Sequence, residues 1–175
     1  MRLLKESTAT NLDEFYKELC ECQQDAHGED YIAVHAEIAM LLSECESYTE
    51  FGIMQGTTLA VPFLVGTKTI RAYDIDLSRF NKFKHFFAHD DFEVYETDTA
   101  NCTIDPVDLL YIDSCHMAKH LRKELNHHAD KVNKYIVLHD TSHKPELYDT
   151  AVQFCTSNPD WMIKTRSTVN VGYTT

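Results

Sequence analysis

From residue 48 to about residue 158 the chain alternates short apolar runs with segments of helical spacing. That alternation constrains the fold more than any other feature. "YTEFGI", "TIRAYDI", "FEVYET", "VDLLYID" and "KYIVLHD" have the length and composition of strands. "TTLAVPFLV", "LSRFNKFKHFFAH", "MAKHLRKELNHHADKV" and "PELYDTAVQFCTS" follow four of them with helical patterns. Two of the strands are almost wholly apolar, as strands covered on both faces are. Strands that alternate with helices build βαβ units, and right-handed crossovers assemble these into a parallel sheet. "WMIKTRS" and "VNVGYTT" read as a closing hairpin. Residues 1–46 read as helices. "NLDEFYKELCECQQ" carries Leu12, Phe15, Leu19 and Cys22 on one face. Gly28 is the expected break, and "YIAVHAEIAMLLSEC" follows with Ile32, Ala36, Ala39, Met40 and Leu42 as its apolar positions. The expectation is one domain over residues 1–175, with N-terminal helices to residue 46 and an α/β core over 47–175.

In such a sheet every parallel strand ends on the same edge, where ligands bind. The residues at those ends are Glu50, Phe51 and Gly52; Asp74, Ile75 and Asp76; Thr97, Asp98 and Thr99; Asp113; and His139 with Asp140. Aspartate also starts turns and caps helices. A carboxylate at all five ends points further, to a polar ligand, a metal or both.

The stretch "YTEFGIMQGTTLA" holds two of the chain's five glycines, Gly52 and Gly56. Gly52 lets the chain leave the strand and lets a ligand approach the backbone. Gly56, Thr57 and Thr58 are expected to open the next helix, whose free N–H groups suit a carboxylate or phosphate. An acid at the next strand end, Asp74 first and Asp76 second, stands at the distance from which a carboxylate accepts ribose hydroxyls. The G-x-G-x-x-G dinucleotide pattern is absent.

These motifs together resemble the class I S-adenosylmethionine-dependent methyltransferases, in particular their small-molecule and sugar O-methyltransferase branch. "EFGIMQGTT" resembles the first motif, "AYDID" the ribose motif and "ETDT" the adenine motif. "DLLYIDSCH" followed by "YIVLHDT" resembles the segments that end the fourth and fifth strands, and the likeness covers roughly residues 45–145. The resemblance implies a three-layer Rossmann-like fold with a mostly parallel seven-stranded sheet, order 3-2-1-4-5-7-6, the last strand antiparallel. It implies S-adenosylmethionine as cofactor. The methionine end would lie over Gly52 to Thr58, with Glu50, Phe51, Ile53 and Asp113 also at the cofactor, the ribose at Asp74 beside Ile75 and Asp76, and the adenine near Asp98 and Thr99. Asp113-Ser114-Cys115-His116 matches a D-x-x-H segment that supplies a metal carboxylate and a base. His139-Asp140 matches the acidic pair of the fifth strand in part, with a histidine where an acid is usual. The Gly-Gly before that strand is missing.

His116 is therefore the expected general base, oriented by Asp113 or a metal. Asp113, Asp140 and His139 are the expected ligands of a divalent ion. Two carboxylates suit Mg²⁺, and added imidazoles move the preference towards Mn²⁺, Fe²⁺ or Zn²⁺. His85 and His89 are expected to pack or face water, His120 to face water, and His127 and His128 to favour a helix C-terminus. The stripe Phe80, Phe83, Phe86, Phe87 is expected in the core. Trp161 packs the hairpin or rims the pocket.

The net charge of −12 disfavours a nucleic-acid partner. No run of residues has the length and apolarity of a membrane span, and the N-terminus has no signal-like core. Six scattered cysteines without a CxxC pair read as reduced thiols in a cytoplasmic protein. The expected function is methyl transfer to a hydroxyl of a small molecule, a sugar among the candidates, with metal assistance. Two alternatives stand beside it: a cofactor-binding protein without catalysis, and a metal-dependent hydrolase. The chain leaves little room for a substrate lid. The N-terminal helices supply one, the site is open, or the protein is a homo-oligomer.

Overall fold

The computed structural model describes residues 3–27, 30–169 and 171–175. Gly28, the expected break between the first two helices, lies outside the described residues. Helices α1 (Leu12–His27) and α2 (Asp30–Leu42) precede strand β1 (Ser47–Phe51). There follow α3 (Ala60–Val65), β2 (Thr69–Asp74), β3 (Phe92–Glu96), β4 (Val107–Ile112), α4 (Ala118–His128), β5 (Val132–His139) and α5 (Pro145–Ser157). The short strands β6 (Arg166–Ser167) and β7 (Tyr173–Thr174) close the chain. The seven strands form one sheet in the order β3-β2-β1-β4-β5-β7-β6. The first five are parallel, and β7 runs antiparallel to both β5 and β6. The sheet is therefore mixed, with its antiparallel pairings at one edge.

Alternating residues of the central strands feed two cores. Tyr48, Ile70, Ala72, Leu109, Tyr111 and Val137 pack with α1, α2 and α3. Phe51, Tyr73, Leu110, Ile112, Ile136 and Leu138 pack on the other face with α4 and α5. Local chemistry sets several helix starts. Asn11 Oδ1 accepts the Glu14 amide at 3.0 Å, and the Glu14 carboxylate accepts from the Thr10 amide at 2.8 Å, a near relative of the capping box. Pro145 opens α5, where a missing N–H costs nothing.

Three local expectations are corrected. Residues 77–89 do not form a helix. They make two short 3₁₀ turns, Phe80–Lys82 and Lys84–Phe86, which still bury Phe80, Phe83 and Phe87 as a core stripe. Four phenylalanines within eight residues drive burial of the segment whatever its helical type. Second, α3 is shorter than its apolar pattern. It begins at Ala60, so that Pro62 falls in the first turn, the one part of a helix that tolerates proline. Third, α2 buries Val34, His35, Ile38, Leu41 and Leu42, whereas Ile32, Ala36 and Met40 are exposed. The periodicity was ambiguous because apolar residues run all round this helix, and a buried histidine settles the face. Among the described residues no helix is long and apolar enough to cross a membrane.

His35 is 3% exposed. With hydrogen on Nε2, it accepts from the Tyr16 hydroxyl at 2.9 Å through Nδ1 and donates to Thr58 Oγ1 at 3.2 Å. Burial, and then the nearby His139, lower its pKa to about 3. The unfolded chain, with a histidine pKa of about 6.5, takes up this proton first. Stability is therefore expected to fall as pH drops from about 6.5 towards 3. Denaturant titrations at pH 7 and pH 4.5 should show a smaller loss for His35→Gln than for the parent. An equal loss would mean that His35 is not the buried neutral group described.

Candidate functional site

The C-terminal strand ends enclose a cleft of about 420 Å³, within the range of small-molecule sites. Five carboxylates line it: Glu50, Asp74, Asp76, Asp98 and Asp113. They come from four of the five strand ends expected to converge, and Asp140 and His139, at the end of β5, do not line this cleft. Ile53, Met54, Thr57, Thr58 and Arg79 complete one side, and Thr97, Thr99, Ser114, Cys115, His116 and His120 the other.

The loop after β1 is built by close backbone contact. Gly52 has φ +86°, and a Cβ there would lie 2.3 Å from the Asp113 carbonyl oxygen and 2.9 Å from Ser114 Cα. Glycine is required because β4 passes against it, a reason different from ligand approach. Gly56, at φ +91°, would press a Cβ against the Phe87 ring at 2.6 Å, and it does not line the cleft. Phe51 also points away. It is fully buried against Tyr73 and His128. The helix expected to begin at Gly56 begins four residues later and is six residues long, so its N-terminus is no anion site.

Asp74 holds this loop. Its Oδ2 accepts the amides of Ile53 at 2.7 Å and Met54 at 3.0 Å, and its Oδ1 accepts the Asp76 amide at 3.1 Å. A carboxylate has about four acceptor positions. Asp74 therefore keeps capacity for about one further hydroxyl, and exposed Asp76 stands beside it. From the other side the N-terminal elements brace the loop. Gln23 donates to Thr57 Oγ1 at 2.8 Å, His35 to Thr58 Oγ1, and Gln55 exchanges two hydrogen bonds with the backbone of Leu4. Sequence reading missed Gln23, His35 and Gln55, since a polar residue on a helix face carries no signal until its partner is known.

Glu50 is 1% exposed and accepts from the Tyr48 hydroxyl at 2.6 Å. Burial pushes its carboxyl well above the usual range, against the pull of that hydrogen bond. Asp98 folds back on its own turn, accepting from the Ala100 amide at 2.9 Å and from Asn101 Nδ2 at 2.6 Å. His120 does not face water as expected. It reaches Thr99 Oγ1 at 3.3 Å and Glu124 Oε1 at 3.2 Å. His128 is fully buried, with Nε2 donating to the Thr99 carbonyl at 2.7 Å, and burial lowers its pKa. It stands in the last turn of α4 as expected, and burial there favours its neutral form. Trp161 packs beside Phe154 and is not part of the cleft.

At the ends of β4 and β5 stands a four-residue cluster. His116 lies between two acids, with Nε2 3.0 Å from Asp113 Oδ1 and Nδ1 2.9 Å from Asp140 Oδ2. His139 Nδ1 lies 3.2 Å from the same Asp113 oxygen. Asp140 sits at φ +57°, in the left-handed region that favours glycine and, after it, asparagine and aspartate. Hydrogen bonds to Asp113 and Asp140 push His116 up to about 10. Burial would raise the Asp113 carboxyl, but His139 and His116 hold it well below the usual carboxylate range. Asp113, His139 and Asp140 offer ligand atoms within 4.8 Å of one another. His116 and His120, one turn apart, have separate acidic partners, Asp113 and Asp140 for the first and Glu124 for the second.

No family model and no curated protein matches the sequence. Solved structures do match the fold. The N-methyltransferase NodS from Bradyrhizobium japonicum WM9, in complex with S-adenosyl-L-homocysteine, aligns at TM-score 0.64 and 13% identity, covering 93% of each chain. An O-methyltransferase family protein from Burkholderia thailandensis aligns at 0.63 and 15% identity, over 93% of this chain and 58% of its own. A ribosomal protein L11 methylase from Lactobacillus delbrueckii subsp. bulgaricus aligns at 0.60 and 14% identity, over 81% and 76%. The chain has the fold of the class I S-adenosylmethionine-dependent methyltransferases.

The pair of acids around His116 has a titration signature in the metal-free chain. Imidazole resonances of His116 should titrate near pH 10 by NMR. The stability that this raised pKa contributes is full below about 6.5 and is lost as pH rises through the folded value. Asp140→Asn should move the titration down. A wild-type midpoint near 6.5 would contradict the clamped geometry. Gly52→Ala, which forces a Cβ onto the β4 backbone, should cost ~1–3 kcal/mol of stability; an unchanged Tm would remove the close contact from the description.

Proposed function

We propose that this chain transfers a methyl group from S-adenosylmethionine to a hydroxyl of a small molecule, with sugars as the leading acceptor class. One observation carries the reading: a ligand-sized cleft in this fold, rimmed by five carboxylates at strand ends and walled by a loop held by Asp74, by α1 and α2 and by the segment at Leu4. An acidic cleft attracts a sulfonium cation. The methionine end would lie along Gly52 to Thr58, near Glu50. The ribose hydroxyls would be shared between Asp74 and Asp76, given the acceptor positions Asp74 already uses. The adenine would lie at Asp98 and Thr99, whose strand end faces the cleft. Fold alone names no acceptor, and the similar structures include N-, O- and protein methyltransferases. The hydroxyl is proposed from the Asp113-to-His116 segment and the Asp140 beside it.

Two carboxylates and one imidazole within 4.8 Å fit a divalent cation, Mg²⁺ or Mn²⁺ by the hardness of the donors. Asp113, His139 and Asp140 would hold it, and when bound such an ion supplies Lewis acidity towards an acceptor oxygen. His116 is the residue placed to take the acceptor's proton. It does so when it is not donating to both acids, since an imidazolium between two carboxylates has no lone pair to offer. Asp113 and Asp140 therefore govern the base as well as the ion. The same clamped imidazolium favours the second reading, a protein that binds the cofactor without turning it over.

Turnover on a panel of hydroxylated acceptors separates the two. The leading reading expects methylated product, about one divalent ion per chain by elemental analysis, and loss of rate on chelation. Metal-free protein that stays fully active would remove the ion, and His116→Ala with unimpaired turnover would remove the base. Asp74→Ala is expected to weaken binding of S-adenosylhomocysteine by ~1.5–3 kcal/mol. Unchanged affinity would detach Asp74 from the ribose.

A further inference from the structure

Beneath the adenosyl side of the cleft lies a buried carboxylate that takes no part in the chemistry above. Glu124, on α4, is fully buried. Its Oε1 accepts from Thr99 Oγ1 at 2.5 Å, from Ser114 Oγ at 2.6 Å and from His120 Nε2 at 3.2 Å. Among the described residues its Oε2 meets no hydrogen-bond partner. Burying an acid costs free energy, and a polar group in this position is retained only against that cost. The three donors come from three places. Thr99 belongs to the loop after β3, Ser114 to the loop after β4, and His120 to the helix itself. All three line the cleft. His128, one turn further on, holds the Thr99 carbonyl at 2.7 Å. Residues 120, 124 and 128 thus form a polar stripe on the buried face of a helix whose other buried residues, Leu121 and Leu125, are apolar.

We propose that Glu124 is a positioning residue for the cofactor, a latch that ties the loop after β3 to the loop after β4 and fixes the spacing of the adenosyl pocket between them. The proposal rests on the cofactor reading above. Strand pairing does not do this work. β3 and β4 are not paired with each other, since β2 and β1 stand between them, and the ladder bonds reach Thr97 and Asp113 but not the hydroxyl-bearing Thr99 and Ser114. Glu124 Oε1 meets a hydroxyl from each loop, and His120 and His128 add contacts from the same helix to Thr99. A hydrophobic residue in its place would fill the space, remove the acceptor of the Ser114 hydroxyl and leave Thr99 Oγ1 to His120. The carbonyl of a glutamine would still accept from both hydroxyls. The latch thus predicts that shape alone is insufficient and that charge is dispensable. Burial raises the Glu124 carboxyl pKa, in keeping with a group that acts as an acceptor with no need of full ionisation.

The test uses the full chain and two ligands, S-adenosylhomocysteine and 5′-methylthioadenosine, which share the adenosyl end. Glu124→Met should weaken both by a similar factor, about tenfold or more, whereas Glu124→Gln should stay close to the parent. Equal affinity of Glu124→Met and parent, or equal losses in the Met and Gln variants, would overturn the latch. A second variant covers the case in which Glu124→Met does not fold. Ser114→Ala removes one arm only, and amide hydrogen exchange should then speed up across the latch, at residues 99–102 on the other loop. Unchanged exchange there would equally overturn it. If the parent chain binds neither ligand, the cofactor reading fails, and the exchange experiment still decides whether the two loops are coupled.

Discussion

The contact on which the site depends is between backbone and backbone: Gly52 against the end of β4. The ladder runs one step past the strands here, with the Asp113 amide donating to the Phe51 carbonyl and the Gly52 amide to the Tyr73 carbonyl, each at 2.8 Å. β1 is thereby locked between its neighbours up to its last residue, and the chain turns over β4 with no room for a side chain. This brings Asp74 and Asp113, from the strands on either side of β1, level with Gly52, and Glu50 lies two residues below them on β1. A looser exit from β1 would separate them.

Bringing acids together requires that their charge be managed, and each is managed differently. Asp74 is surrounded by backbone amides, Asp98 by its own turn, and Glu50 by a tyrosine hydroxyl in a buried setting that favours its protonated form. Asp113 and Asp140 share His116, with His139 at the side. The last arrangement is the most changeable of the four. Like charges in proximity need a proton or a cation between them, and here an imidazolium meets that need in the absence of an ion. The N-terminal helices add a separate support. Through Gln23 and His35 they fix the two threonines of the loop, which gives the first 46 residues a role in the site beyond covering the sheet.

Much of this was legible in the sequence because it depends on period and on strand ends. Residues such as Asp74, Asp98, Asp113 and Asp140 could be placed on one edge once the alternation of strands and helices was seen, and the strand order followed the resemblance. What escaped depends on partners distant in sequence. Gly52 was read as a strand exit open to a ligand, and its close contact escaped because the backbone it meets belongs to residues 113 and 114. His120 looked like a surface residue and His128 like a helix-end cation, because the hydroxyl and carbonyl of Thr99 that they meet lie 21 and 29 residues away. The face of α2 was misjudged for the same reason. Its buried histidine has its partners on α1 and in the loop at Thr58. The segment 77–89 shows a different limit: clustered aromatic residues specify burial more strongly than they specify a helix.

The central claim is that the carboxylate edge holds an adenosyl cofactor. It is tested most directly by mapping where S-adenosylhomocysteine touches the chain, through backbone amide chemical-shift changes on titration. The account predicts saturable shifts confined to the loop at Ile53 and Met54, the β2 end at Asp76, and the turn at Thr99, with the hairpin β6–β7 unaffected. No shifts, or shifts centred away from these strand ends, would contradict it.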